Sequence, residues 1–162
     1  MGLLSAIFPT KNDTRLGDLR YAFGKWTSSN ARVFGKPMLP LRIPGDRSGP
    51  TQAALEVLKS AEAAYADLQP QIAVKLFELY QNIAQSAPAS QLSEELGYPF
   101  PKLLAADEVW NHARLKRAWV GAYGKASDVE LAYSASWEVE HTAGALIRDS
   151  QLIEFSASVG PW

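Results

Sequence analysis

Cysteine is absent from the 162 residues. That excludes disulfides, thiol nucleophiles and every metal site that depends on thiolate. An excess of either charge is missing too: 16 Lys and Arg stand against 17 Asp and Glu, for a net charge of -1. A chain so balanced builds no basic field to hold a nucleic-acid backbone. Its densest basic run, Arg114-Leu115-Lys116-Arg117, is short and reads as a solvated strand entrance. No apolar run reaches the roughly 20 residues of a transmembrane helix. The first nine residues have no basic n-region and too short an apolar run for a secretory signal. Position 6 is Ala, so the myristoylation pattern fails. The expectation is a cytoplasmic protein with no membrane span, in which Leu3, Leu4, Ile7 and Phe8 dock on the domain or on a partner subunit. Signatures of familiar chemistry are missing as well. The chain has no phosphate loop, no dinucleotide glycine fingerprint, no Gly-x-Ser-x-Gly elbow and no zinc-protease helix with paired histidines.

What is present is core material. The hydrophobic fraction is 47%, with five Trp, six Tyr and six Phe. A chain of this length buries roughly 70% of the surface it exposes when unfolded. No repeat or low-complexity linker divides it. Residues 1–162 read as one domain, with 1–17 a loosely attached N-terminal segment.

The pattern runs strands, helices, strands, which predicts an α+β fold. Leu19 to Ser28 reads as a first strand, with Ser29-Asn30 as its turn. Arg32 to Ile43 reads as a second, irregular or at an edge because Pro37 and Pro40 cannot donate ladder hydrogen bonds. From Pro50 to Gln85, Ala54, Leu58, Ala61, Tyr65 and Leu68, then Ile72, Leu76, Tyr80 and Ile83, recur at helical steps. Pro70 interrupts them and suggests two helices meeting, or one kinked helix. A short helix over Gln91–Leu96 ends at Gly97, and a third is expected over Leu103–Leu115. The last third reads as a four-strand meander over 118–123, 129–137, 140–147 and 152–158. In it Val129, Leu131, Tyr133, Ala135 and Trp137 alternate like a strand with one wet face. The predicted architecture is an antiparallel sheet, two N-terminal strands plus that meander, covered by a central helical block.

Candidate chemistry centres on the two histidines, His112 and His141. Glu108 and His112 stand four apart on the expected third helix and would share a face. On a regular strand Glu138 and Glu140 point one way and Trp137, Val139 and His141 the other, so joining Glu140 to His141 needs a bulge. If the third helix packs beside that strand, His112, His141 and Glu108 could converge as a zinc or iron set. With Glu140, they could equally form an acid–base group. The simpler reading is a helix-surface His112 paired with Glu108 and a partly buried His141. No metal and no cofactor is expected.

Glu130, Glu138, Glu140 and Glu154, with Trp137 and Trp162 nearby, suggest an acidic strand face that meets a basic partner, Arg148 being within cross-strand reach. A plain solvated sheet face is the alternative. Trp119 and Trp137 fit the strand alternation and read as core. Trp162 is either docked or a contact residue.

The element order, with Gln52, Gln69 and Gln71 in the helical block, and the segment Trp137-Glu138-Val139-Glu140-His141-Thr142-Ala143-Gly144 followed by Leu152-Ile153-Glu154-Phe155, resemble a group of small uncharacterised bacterial α+β domains of unknown function. The resemblance extends over residues 18–159. It implies a bacterial, cytoplasmic, single-domain protein and brings no catalytic residues. Some comparable small bacterial domains are immunity proteins, an analogy of class only. The reading is a non-enzymatic protein-interaction domain that binds another protein or itself. The alternatives are a small metal-dependent or acid–base enzyme using His112 and His141, and a small-ligand binder with an aromatic pocket between sheet and helices.

Overall fold

The computed structural model describes residues 8–157. The strands are β1 (Thr10–Asp13), β2 (Gly17–Ala22), β3 (Lys25–Val33), β4 (Lys36–Asp46), β5 (Gly49–Pro50), β6 (Ala113–Val120), β7 (Asp128–Ala135), β8 (Glu138–Arg148) and β9 (Gln151–Ala157). Two α-helices, α1 (Gln52–Ser86) and α2 (Ala89–Leu96), separate β5 from β6. The strands lie in the order β1-β2-β3-β4-β6-β7-β8-β9, with β5 paired to the end of β4. All neighbours are antiparallel except β4 and β6, whose parallel seam joins two meanders. A parallel pair requires a crossover, and the helices provide it. The α+β class and the helix-covered sheet match the sequence reading.

The N-terminal meander differs from that reading in its turns. Two-residue loops at Phe23-Gly24 and Phe34-Gly35 close β2–β3 and β3–β4. Both residues of each loop have positive φ, the backbone that matches strand twist in tight hairpins. Ser29-Asn30 instead falls at an irregularity inside β3. There the Asn30 side chain accepts from the Asp18 amide and donates to the Asp18 carboxylate. The segment expected as one strand and a turn is therefore a hairpin. β4 is also not an edge. Its buried Leu39, Leu41 and Ile43 seat it mid-sheet. Pairing with β6 is confined to Leu41 and Arg42, between Pro40 and Pro44. The prolines shorten the parallel seam rather than expel the strand.

The helical block is one 35-residue helix with Pro70 inside it, not two. Thr51 caps its start, its hydroxyl accepting from the Ala54 amide at 3.2 Å. A helix-interior proline costs about 3 kcal/mol. Leu68, Ile72, Ala73 and Leu76 are buried on both sides of Pro70. Each large apolar side chain so buried contributes about 1.5–3 kcal/mol, so packing outweighs the break. Gly97, at φ 77, ends α2 as expected.

The third helix is not an α-helix. A 3-10 turn covers Ala106–Asn111, and β6 already begins at Ala113. Pairing with β7 along Ala113–Val120 takes those residues into the sheet.

Helix α1 crosses β4, β6, β7, β8 and β9. Beneath it lie Leu41, Ala118, Leu131 and Ala145, which are cross-strand neighbours and fully buried. The second face of β7 is not wet: Asp128 to Tyr133 are all buried. The segment expected to be loosely attached leaves residues 1–7 outside the described part and continues into β1, which pairs with β2, and into buried Leu16. Among the described residues no helix is long and apolar enough to cross a membrane.

Candidate functional site

Strand β8 departs from regular pairing near its start. Tyr133 opposes Ala143, but Ala135 opposes Glu138. Two steps along β7 therefore match five along β8, and residues 139–142 bulge. Glu138 holds the bulge shut: its Oε1 accepts from the amides of Glu140 at 3.0 Å and His141 at 3.3 Å. The same oxygen stands 3.5 Å from His141 Nδ1. The bulge that sequence alternation would have required thus exists, and it brings His141 to Glu138 rather than to Glu140.

Between this bulge, the second half of α1 and β9 lies a cavity of about 660 Å³. Leu79, Ala143 and Phe155 provide its apolar surface. Its polar groups are Lys75, Glu78, Asn82, Glu138, His141, Thr142 and Ser156. Lys75 and Glu78 are paired across one helical turn at 2.7 Å. Volumes of this size accommodate small ligands or a short peptide stretch. Strand β9 forms one wall. Among the described residues it pairs only with β8, so its outer edge is open. Ile153 is an extra residue in its pairing, since Leu146 opposes Glu154 and Ile147 opposes Leu152.

The other candidates are dispersed. Glu108 turns back to the amides of Leu104, at 2.6 Å, and Ala105, at 3.4 Å. His112 ends the 3-10 turn and its Nδ1 lies 3.0 Å from Ser136 Oγ. With three residues per turn instead of 3.6, positions four apart no longer align, and the Glu108–His112 pair does not form. Among the described residues no three His, Asp or Glu side chains gather so as to hold a metal ion. Glu130 is not part of a solvated acidic face. It is 1% exposed, with Arg117 at 4.0 Å. Tyr123 donates to its carboxylate, and burial together with that bond pushes the Tyr123 hydroxyl up to about 12. Burial lowers the Arg117 guanidinium against the opposing pull of Glu130. Trp137 is also buried, edge-on to Tyr80 at 5.5 Å, and so is core rather than a contact residue. Glu138 is half-buried, while Glu140 and Glu154 remain exposed. Trp162 lies outside the described residues.

Asp128 and Arg148, at opposed positions of β7 and β8, form a two-pronged pair at 2.6 and 2.8 Å. Hydrogen bonds from Arg148 hold the Asp128 carboxyl below its ordinary 3.8, against the opposing effect of burial. A carboxyl depressed in the folded state adds stability above its unfolded value and loses it as pH falls through the folded value. Chemical denaturation at stepped pH should show stability declining below pH 3.8. Asp128→Asn should give a shallower decline, and an unchanged acid limb would show that this pair does not set it.

Lys75, Glu78 and Phe155 were not anticipated as site residues. Only the i,i+3 spacing of Lys75 and Glu78 signals them, and that spacing is common on any helix surface.

A large, mostly antiparallel sheet with one long helix across it, and a cavity at one edge, defines a class of small α+β domains. The chain belongs to the family described as a domain of unknown function (DUF6985), whose model matches residues 15–161. No curated protein matches it, and no solved structure does.

Proposed function

We propose that this domain is a protein-interaction module that receives an extended segment of another protein along the outer edge of β9. The observation carrying this reading is the coincidence of a strand edge that is unpaired among the described residues with a large cavity beside it. An open edge presents unpaired amides and carbonyls to an incoming strand, and a neighbouring pocket gives that strand a side-chain anchor. The bulge at Ile153 twists the first part of the edge away from regular pairing. The receptive part is then 154–157, whose Phe155 and Ser156 line the cavity. The bacterial, cytoplasmic setting implied by the sequence resemblance belongs to this proposal. No observation favours the enzyme alternative, because His112, Glu108 and His141 each face a different partner.

Affinity capture of tagged protein from lysate of its source, read by mass spectrometry, should recover a stoichiometric partner. Phe155→Ala, which strips apolar surface from the cavity beside the receptive edge, should sharply reduce recovery at an unchanged circular dichroism spectrum, and the purified partner should slow amide exchange at residues 154–157. Full retention by the Phe155→Ala protein, or protection confined to another surface, would overturn the reading.

A further inference from the structure

The cavity has a charge pattern that restricts what can fill it. Glu78 and Glu138 line it from opposite walls, the first on α1 and the second on the β8 bulge. Glu140 on the bulge and Glu154 on β9 are exposed, but neither lines the cavity. Lys75, the one Lys or Arg among the lining residues, is paired with Glu78 at 2.7 Å, so the two carboxylates and one ammonium leave a net negative charge in the lining. Leu79, Ala143 and Phe155 add an apolar surface. We infer that the cavity seats a long basic side chain, lysine or arginine, of an extended partner segment added to β9. Such a side chain is amphipathic. Its methylene stem covers apolar surface while its charged head reaches carboxylates. Here the stem would lie against Leu79 and Phe155, and the head between Glu78 and Glu138. The inference rests on the strand-addition reading and specifies its partner's chemistry.

Charge also selects against the β9 edge of a second copy as the occupant. The β9 sequence, Gln151-Leu152-Ile153-Glu154-Phe155-Ser156-Ala157, contains no basic residue. Pairing two β9 edges would oppose acidic surfaces and place no cation in either cavity. Like charges directly opposite across paired strands are destabilising. A basic segment of a different protein satisfies both the edge and the cavity.

The test uses capped six-residue peptides of alternating Thr and Val that differ at one central position, Lys, norleucine or Glu. Binding to the full chain is measured by calorimetry at low salt. The Lys peptide should bind about tenfold more tightly than the norleucine peptide, as expected of a charge-assisted hydrogen bond. The Glu peptide should bind more weakly still. Glu78→Gln combined with Glu138→Gln should reduce the Lys preference to within about twofold. Both substitutions keep an acceptor oxygen, so the bulge stays closed, and an unchanged melting temperature verifies the fold. Equal binding of all three peptides would overturn the basic preference and leave strand addition standing. A Lys preference that survives both substitutions would place the cation elsewhere and overturn the cavity assignment. Binding of none of the peptides would remove strand addition and the inference together.

Discussion

Gly45→Ala should lower the stability of the domain by about 3 kcal/mol, at the upper end of the cost of forcing atoms into a packed site. For a domain of this size that corresponds to a fall of roughly 6–12 °C in melting temperature. The added methyl has no room. A Cβ on Gly45 would stand 2.3 Å from the Gly49 carbonyl oxygen, 2.6 Å from Trp26 Cδ1 and 2.8 Å from Pro50 Cα. Two of these atoms are backbone, so the clash cannot be relieved by rotating a flexible side chain. The surroundings are tied as well. Gly45 donates to the Gly24 carbonyl at 3.1 Å, and the Trp26 indole donates to the Asp46 carbonyl at 2.8 Å. Shifting β4 here therefore disturbs the β2–β3 hairpin and the indole together. Gly24→Ala supplies the comparison. Gly24 has φ +78 with nothing near its virtual Cβ, so only left-handed strain applies, about 1–2 kcal/mol. Urea midpoints with unchanged slopes would measure both. A Gly45→Ala loss no greater than that of Gly24→Ala would show that the close approach of β4, β5 and Trp26 is wrong.

Strand alternation was legible wherever one face is packed on the helix. Val129, Leu131 and Tyr133 gave β7 its period, and the same residues line the core. The second face of β7 was misleading, because Glu130 and Asp128 look like solvent-facing positions. Their burial depends on Arg117 and Arg148 arriving from neighbouring strands, and no local pattern carries that information. Turns divided in the same way. Asp149-Ser150 has ordinary turn chemistry and closes β8–β9. Phe23-Gly24 does not, since an aromatic side chain at φ 50 is a poor advertisement for a tight turn and Ser29-Asn30 is a better one. Phe23 is 95% exposed, so its position follows from strand pairing and not from its own preference for burial.

The candidate site shows a sharper limit. Alternation along β8 assigns Glu138 and His141 to opposite faces, and a regular strand would have kept them apart. Residues 139–142 break that regularity, and the break is stabilised by one carboxylate oxygen that accepts two amides. Period arguments cannot anticipate an insertion in pairing, because the partner strand decides it. The reverse error occurred at Glu108 and His112. Their spacing suits an α-helix, but the segment is a single 3-10 turn ahead of a strand. Both corrections concern local geometry, and both move the candidate chemistry from His112 to the edge beside His141.

Trp137→Ala should cost about 3–5 kcal/mol, the range for removing a large aromatic from a core. Trp137 is 2% exposed. It packs edge-on against Tyr80 at 5.5 Å and lies 6.4 Å from the His112 ring. It therefore ties the β7–β8 turn to α1 and to the end of the 3-10 turn. Trp137→Phe should behave differently. The Trp137 indole nitrogen is buried and finds no acceptor among the described residues. An unmade hydrogen bond of this kind costs about 1–3 kcal/mol, and phenylalanine removes the donor along with part of the ring. The smaller ring loses some packing, and the two effects offset to leave a change of about 1 kcal/mol or less. Urea denaturation of the three proteins separates the cases. If Trp137→Ala were nearly neutral, the indole would not be a core residue. If Trp137→Phe cost as much as Trp137→Ala, the indole N–H would have a partner that stabilises the fold. The same comparison bears on function. A buried Trp137 affects partner binding only through the folded fraction, so at temperatures where both variants are fully folded, capture through β9 should match that of the unsubstituted chain.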